Sequence, residues 1–323
     1  MKMSPHKQKN RRTAWPMRWP IKTIAKDLRY ARDLSVYLLM REKVRKEPQV
    51  RLDKKGLVSP DYTKPVCLFC SYDYQNIVRK NVYQYLDALA LAGFNIIFIS
   101  ASDDISVSDL EKLSRCCMRI INRENKGYDF YGWKTGLEKY ARYKDHAGLL
   151  LANDSVIGPL FSISDILTTL ENCDADVIGM TDSFQFHPHL QSYFLYCKKN
   201  VVLSEEFLRF FKEVDVLEFK NVVIRKYEIG FSRLLRHRFR LAALYGLEPA
   251  LARIDFDQRP VRWIEPTSHL WKALITEFKF PFIKKSVLTR KGVSVEEVLP
   301  VLAETASRYN MDILDDLNLP PYG

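Results

Sequence analysis

Five short apolar runs alternate with segments of helical periodicity between Lys64 and Thr181, and no other feature of this 323-residue chain constrains its fold as strongly. The runs are Val66–Ser71, Asn95–Ser100, Cys117–Ile121, Gly148–Ala152 and Ala175–Met180. Between them, Asn76–Leu91 (closed by Gly93), a short segment near Ser106–Ser114, Tyr131–Tyr140 and Ile163–Glu171 carry helical spacing. An apolar run of five or six residues without polar alternation is a strand covered on both faces. Strands separated by helices of this length make βαβ units. The expected fold class is therefore α/β: a Rossmann-type open, mostly parallel sheet with helices on both faces. Beyond residue 182 the alternation changes. Ser192–Cys197 predicts another strand, Ser204–Val214 a capped helix, and Glu228–Tyr245 a further helical stretch.

The net charge of +11 belongs to one end of the chain. Residues 1–60 hold 17 Lys and Arg against 5 Asp and Glu, which leaves 33 basic and 34 acidic residues for everything after. A nucleic-acid-binding domain carries its positive field on the folded surface, so the neutral body argues against that class. The leader divides into a basic tail ending in Trp15, Pro16, Trp19 and Pro20, a helix from Ile21 to about Met40, and a linker. Ile21, Ile24, Ala25, Leu28, Ala31 and Leu38 recur at helical spacing, with Lys22, Lys26, Arg29 and Arg32 on other faces. Tryptophan beside a basic amphipathic helix suits an anionic membrane surface. The alternative is a helix that packs on the body through its apolar stripe; the membrane reading is preferred.

No stretch of 18 consecutive apolar residues is present, and the N-terminus lacks the apolar core and cleavage site of a secretory signal. The six cysteines sit among apolar neighbours. Cys67 and Cys70 are three apart on an expected strand and so point to opposite faces, which argues against a shared zinc. Free thiols in a reducing cytoplasm are expected.

Ligands of open α/β sheets bind beyond the carboxyl ends of the strands. The segments there are Ser71-Tyr72-Asp73-Tyr74, Ser102-Asp103-Asp104, Asn122–Phe130, Asn153-Asp154-Ser155 and Thr181-Asp182-Ser183. Neither a Gly-x-Gly-x-x-Gly turn after the first strand nor a Gly-Lys-Ser/Thr phosphate loop is present. Dehydrogenase, ATPase and methyltransferase readings all lose ground.

Several motifs, in order, carry a family resemblance. They are Asn125-Lys126-Gly127-Tyr128-Asp129-Phe130-Tyr131-Gly132-Trp133, Asn153-Asp154-Ser155-Val156-Ile157-Gly158-Pro159-Leu160 and His189-Leu190-Gln191-Ser192-Tyr193-Phe194. Glu228-Ile229-Gly230-Phe231-Ser232, His269-Leu270-Trp271 and Phe280-Pro281-Phe282-Ile283-Lys284-Lys285 complete the set. Over roughly residues 64–290 the chain resembles the rhamnan synthesis protein F family of bacterial surface-polysaccharide glycosyltransferases. The resemblance implies a GT-A-like domain over 61–290, behind the basic leader 1–60 and ahead of a C-terminal helical extension 291–323. It also implies a nucleotide-diphosphate-sugar donor and a lipid-linked O-antigen, capsule or rhamnan-type acceptor, with rhamnose among the candidate sugars. With the basic leader, this makes a peripheral position on the inner face of the cytoplasmic membrane the expected location.

GT-A enzymes commonly neutralise the donor diphosphate with Mg²⁺ or Mn²⁺ held by an Asp-x-Asp motif after the fourth strand, since hard cations prefer carboxylate and phosphate oxygens. This chain has Asn153-Asp154-Ser155 there, one carboxylate in place of two. Asp154 is the expected metal ligand, with His269 as a nitrogen partner acceptable to Mn²⁺. Ser71, Tyr72, Asp73, Asp104, Asn125, Lys126, Gly127 and Asp129 complete the expected donor site. Gly127 permits close backbone approach, and Asp129 doubles as a candidate N-cap. Lys284 and Lys285 are expected to offset diphosphate charge, and His189 and Trp271 to meet acceptor or phosphate. The resemblance implies inverting transfer, with Glu228 as the base and Asp182 as runner-up. A catalytically silent glycan-binding or scaffold subunit is the alternative that the reduced motif keeps open.

Overall fold

The computed structural model describes residues 18–44, 47–254, 260–288 and 295–305. Trp15, Pro16 and all of the expected C-terminal extension except 295–305 lie outside the described residues. Helix α1 (Arg18–Val44) precedes strand β1 (Val50–Lys55). The alternating region follows as β2 (Val66–Ser71), α2 (Lys80–Leu91), β3 (Asn95–Ser100), α3 (Val107–Cys116), β4 (Arg119–Arg123), α4 (Tyr128–Lys139) and β5 (Gly148–Asn153). Then come β6 (Val156–Ile157), α5 (Ile166–Asn172), β7 (Val177–Gly179), the ribbon of β8 (Asp182–Ser183) and β9 (His189–Leu190), and β10 (Phe194–Lys198). The last part comprises α6 (Lys199–Val202), α7 (Glu205–Lys212), α8 (Lys220–Val223), α9 (Ile229–Leu235), β11 (Leu241–Ala243) and α10 (Leu247–Leu251). It ends with α11 (Pro266–His269), α12 (Trp271–Phe278), β12 (Ile283–Lys284), α13 (Lys285–Leu288) and α14 (Val295–Thr305).

Eight strands form one sheet in the order β1-β4-β3-β2-β5-β10-β7-β11. Strands β2 to β5 are mutually parallel, as the alternation predicts. Strand β10 runs antiparallel to both β5 and β7, because the segment after β7 returns through the β8–β9 ribbon rather than through a crossover helix. Every residue of β2, β3 and β5 is buried, as the apolar runs require. Alternation along β2 sends Cys67 and Phe69 to one layer, with Tyr85 and Phe98, and Leu68 and Cys70 to the other, with Trp133 and Leu151. Cys67 and Cys70 do lie on opposite faces, and all six cysteines are free.

The structure departs from the sequence reading in several places, three of which change an element's place or type. The expected linker contains β1, an edge strand antiparallel to β4. Helix α2 begins at Lys80 rather than Asn76, because residues before it fold into a loop on Asp73. The stretch Glu228–Tyr245 holds helix only to Leu235; Leu241–Ala243 is strand β11, parallel to β7.

Helix α1 packs on the body through a face the periodicity did not single out. Tyr30 and Leu34 join the apolar layer that includes Trp133, and Asp33 is buried and accepts from Asn221 Nδ2 at 3.4 Å. The guanidinium of Arg225 pairs with Asp27 and lies 4.3 Å from the Tyr30 ring centre and 3.9 Å from that of Phe186. The stripe of Ile24, Leu28 and Leu38, extended by Leu39, points outward, with exposures of 57, 66, 56 and 87%. Packing through that stripe is thus not how the helix is held. Among the described residues, no helix is long and apolar enough to cross a membrane.

Candidate active site

The carboxyl ends of β2 and β5 are hydrogen-bonded neighbours, so Ser71 and Asn153-Asp154 meet at the centre of the sheet edge. Asp154 Oδ2 accepts from Ser71 Oγ at 3.1 Å, from the Tyr72 N–H at 3.4 Å and from Lys285 Nζ at 3.1 Å. Asn153 Oδ1 accepts from both the N–H (3.1 Å) and the hydroxyl (2.6 Å) of Ser155, while its Nδ2 donates to Asp129 Oδ2 at 3.0 Å.

Asp129 reaches this point because α4 starts one turn from the end of β4. Gly127 sits at φ 76°, a left-handed conformation, and a Cβ there would meet the Tyr131 Cβ at 2.6 Å. The helix is entered at Tyr128, so Asp129 lies in its first turn and does not cap it, contrary to the capping expectation. Arg123, buried at the end of β4, binds the loop through the carbonyls of Glu124, Lys126 and Tyr128. Removal from water, reinforced by the neighbouring Asp154 and Glu228 charges, pushes the Asp129 carboxyl up to about 7.

Beside Asp154 opens a cleft of about 520 Å³, whose lining includes Ser155, His189, Gln191, Glu228, Lys284 and Lys285. Three local structures assemble it. A π turn, Ile224–Glu228, delivers Glu228 to the start of α9, where its Oε1 accepts from the Ser192 N–H at 2.9 Å. Ser232, one turn on, fixes the same segment by accepting from the Leu190 N–H at 3.0 Å. The two-stranded pairing of β12 with β6 then sets Lys284 opposite Val156, and the Lys285 N–H donates to the Ser155 carbonyl at 2.9 Å. Gly158 admits that close approach: a Cβ on it would lie 2.4 Å from the Pro281 carbonyl oxygen. His189 donates from Nδ1 to the His187 carbonyl at 2.7 Å.

Glu265 and Gln191 were not singled out from the sequence. Glu265 Oε1 accepts from Gln191 Nε2 (2.7 Å), Thr267 Oγ1 (2.5 Å) and Lys284 Nζ (3.3 Å). Burial disfavours its charge, but the Lys284 ammonium and these donors prevail and hold the carboxyl at about 2. Lys220, Arg225 and, from α1, Arg29 also line the cleft. No local motif announces any of them.

Other expected site residues lie elsewhere or are occupied. Asp73 forms an ion pair with Arg79 at 2.7 Å and accepts from the Gln75 N–H, so it organises its own loop. Asp104 is exposed on the loop after β3, Asn125 is exposed at the β4–α4 turn, and Lys126 pairs with Glu124 at 3.2 Å. Asp182 Oδ1 accepts from the Leu247 N–H at the start of α10, and burial raises its carboxyl. Trp271 is packed with Ile157, Leu160 and Ile283 and is 9% exposed. His269 accepts from the Glu265 N–H through Nδ1 at 2.8 Å and lines a separate cleft with Arg253 and Lys272. His269 thus lines a different cleft from Lys285, the ion-pair partner of Asp154. Among the described residues, no three His, Cys, Asp or Glu side chains are grouped to hold a metal ion.

The sequence model described as rhamnan synthesis protein F matches residues 96–317. Protein y4gN of Sinorhizobium fredii is 28% identical over 193 residues, 58% of this chain and 50% of its own length, so the chain spans half of that relative. Virulence protein VirA of Vibrio anguillarum is 27% identical over 273 residues, 75% of this chain and 84% of its own. Among solved structures, a mannosyltransferase from Pyrobaculum calidifontis, in complex with GDP-Man and Mn²⁺, aligns over 90% of this chain and 88% of its own at 10% identity, with a TM-score of 0.35.

Proposed function

Because the chain belongs to the rhamnan synthesis protein F family, a family of glycosyltransferases, we propose that it moves a sugar from a nucleotide-diphosphate donor to a surface glycan in the cleft beside Asp154. The observation that carries this reading is the convergence of Glu228 with Lys284 and Lys285 around one cleft that reaches Ser155, just past the carboxyl end of β5. In the reaction, the acceptor oxygen forms a bond to the anomeric carbon as that carbon's bond to the β-phosphate oxygen breaks. The electron pair leaves with the nucleoside diphosphate, and the acceptor hydroxyl proton passes to a carboxylate base. Glu228 is the base we favour, since its carboxylate is positioned by the Ser192 N–H and lines the cleft. Transfer is then inverting. Asp182, bound to the start of α10 and absent from that lining, is the weaker candidate.

The acceptor in this reading is lipid-linked, and the chain works at the inner face of the cytoplasmic membrane. Helix α1 supports it: the helix contributes Arg29 to the cleft while its apolar stripe faces outward. A basic leader and exposed leucines together suit an anionic bilayer.

The experiment is a panel of nucleotide sugars offered to purified full-length protein. Donors that bind the native state raise its thermal midpoint, and transfer to a lipid-linked glycan extract is followed by mass spectrometry. A midpoint shift with transfer supports the enzyme. No shift and no transfer with any donor defeats it. The engagement of Asp154 by three donors favours one rival, a glycan-binding subunit without turnover. Glycan binding without donor binding is the result that would install it.

A further inference from the structure

We propose that the donor diphosphate is held by the ammonium groups of Lys285 and Lys284 in place of a divalent cation; this rests on the glycosyltransferase reading above and specifies its donor site.

The residues at the end of β5 do not fit a metal. The first position of the motif is an amide, and its oxygen is taken by the N–H and hydroxyl of Ser155. The second position, Asp154, already shares one oxygen among a hydroxyl, a backbone N–H and an ammonium. His269, the expected nitrogen ligand, belongs to another cleft. A hard cation needs several oxygen ligands from protein, phosphate and water. Here it would also meet the positive charge of Lys285, 3.1 Å from the one carboxylate on offer.

The lysines, by contrast, are built into place. The β6–β12 pairing and the Lys285 N–H to Ser155 carbonyl bond tie both backbones to the residues that follow Asp154. Each ammonium meets one carboxylate, Lys285 with Asp154 beside the cleft at 3.1 Å and Lys284 with Glu265 in its wall at 3.3 Å. An ammonium has three N–H donors, so capacity remains for phosphate oxygens. Five cationic side chains line the cleft (Arg29, Lys220, Arg225, Lys284 and Lys285) against two carboxylates, Glu228 and Glu265. That surplus suits the two negative phosphates of a donor. As the sugar leaves, charge grows on the β-phosphate oxygen, and fixed ammonium groups stabilise it without reorganisation.

The test uses full-length protein, freed of metal in EDTA, with UDP, GDP, dTDP, CDP and ADP as probes, followed by thermal shift and calorimetry. At least one nucleoside diphosphate is expected to bind in EDTA, with affinity changed less than threefold by added Mg²⁺ or Mn²⁺. Lys285→Ala is expected to weaken that binding by roughly tenfold to a hundredfold, the loss of one charge-assisted hydrogen bond, and Lys285→Arg to restore most of it. Circular dichroism and the ligand-free midpoint report whether Lys285→Ala folds; if it does not, Lys284→Ala and Lys285→Gln carry the same comparison. Binding that requires Mg²⁺ or Mn²⁺ overturns the inference and leaves the glycosyltransferase reading standing. Undiminished binding by folded lysine variants also overturns it. No binding of any nucleotide, with or without metal, removes both.

Discussion

Asn153 Nδ2 donates a hydrogen bond to Asp129 Oδ2 at 3.0 Å, and this bond joins the end of β5 to the first turn of α4. An amide at 153 is what permits it, because a carboxylate there could not donate. Restoring the second acid by Asn153→Asp is therefore expected to damage the site. It sets two carboxyl groups face to face next to Asp154 and also removes a donor from Asp129. A loss of about 1–3 kcal/mol is expected, larger at pH 8 than at pH 5, by urea denaturation. A variant as stable as the parent at both pH values would contradict the role given to this bond.

Asp129 itself predicts a pH dependence. Its carboxyl titrates near 7 in the folded chain, above the ordinary carboxylate range that applies after unfolding. Between those two values the folded state holds a proton that the unfolded state has released, so stability falls as pH rises through this window and levels off above about 7. Asp129→Asn is expected to flatten that slope between pH 5 and 7. The comparison is a set of thermal midpoints for the two proteins, and parallel curves would reject the assignment.

Glu228→Gln keeps the shape and an acceptor oxygen for the Ser192 N–H but cannot take a proton. Turnover is expected to drop by roughly 10²–10⁴-fold, the usual range for a general base, while donor binding by thermal shift stays as it was. A variant that transfers sugar at the parental rate would take Glu228 out of the reaction.

Gly132→Ala tests the closeness of α4 to the sheet. Alanine normally favours a helix interior over glycine by up to about 1 kcal/mol. Here a Cβ would lie 2.6 Å from Cys70 Sγ and 3.2 Å from Arg123 Nη2, and both neighbours are buried. Overpacking wins, and a net loss of about 1–3 kcal/mol is expected by denaturant titration. A stabilised variant would show that the helix can shift outward freely.

Leu28→Gln with Leu39→Gln probes the outward stripe of α1. Burying one leucine in an apolar phase contributes about 1.5–3 kcal/mol, so the double variant is expected to lose tenfold or more in co-sedimentation with vesicles containing phosphatidylglycerol. Its thermal midpoint should not change, since both side chains are exposed. Equal sedimentation of parent and variant would separate this helix from any membrane role.

How much of this was visible in the sequence depended on distance along the chain. Strands β2 and β3 carry their identity in the contiguous apolar residues 66–70 and 96–99, and the structure gives them the expected bounds. Ser106 and Ser204 cap α3 and α7 through bonds three residues away. Strand β1 was hidden because Arg51, Asp53, Lys54 and Lys55 make it polar, as an edge strand tolerates. Leu241–Ala243 is too short to announce itself beside a helix. At the site, Asp154 and Lys285 were legible because each sits in a recognisable local run. The bond between Gln191 and Glu265 spans 74 residues, and nothing local to either position foretells it.

The pairing of β12 with β6 also sets the order in which the site comes into being during synthesis. A ribosome that has made 275 residues has already produced every strand of the main sheet, with Ser71, Asp129, Asp154 and Glu228 in the chain. The two lysines that neutralise this edge come ten residues later and reach it only when β12 zips onto Val156 and Ile157. Until then Asp154 lacks its Lys285 partner and Glu265 its Lys284 partner. These two ion pairs thus form in one late step, after the strands of the sheet have all been made.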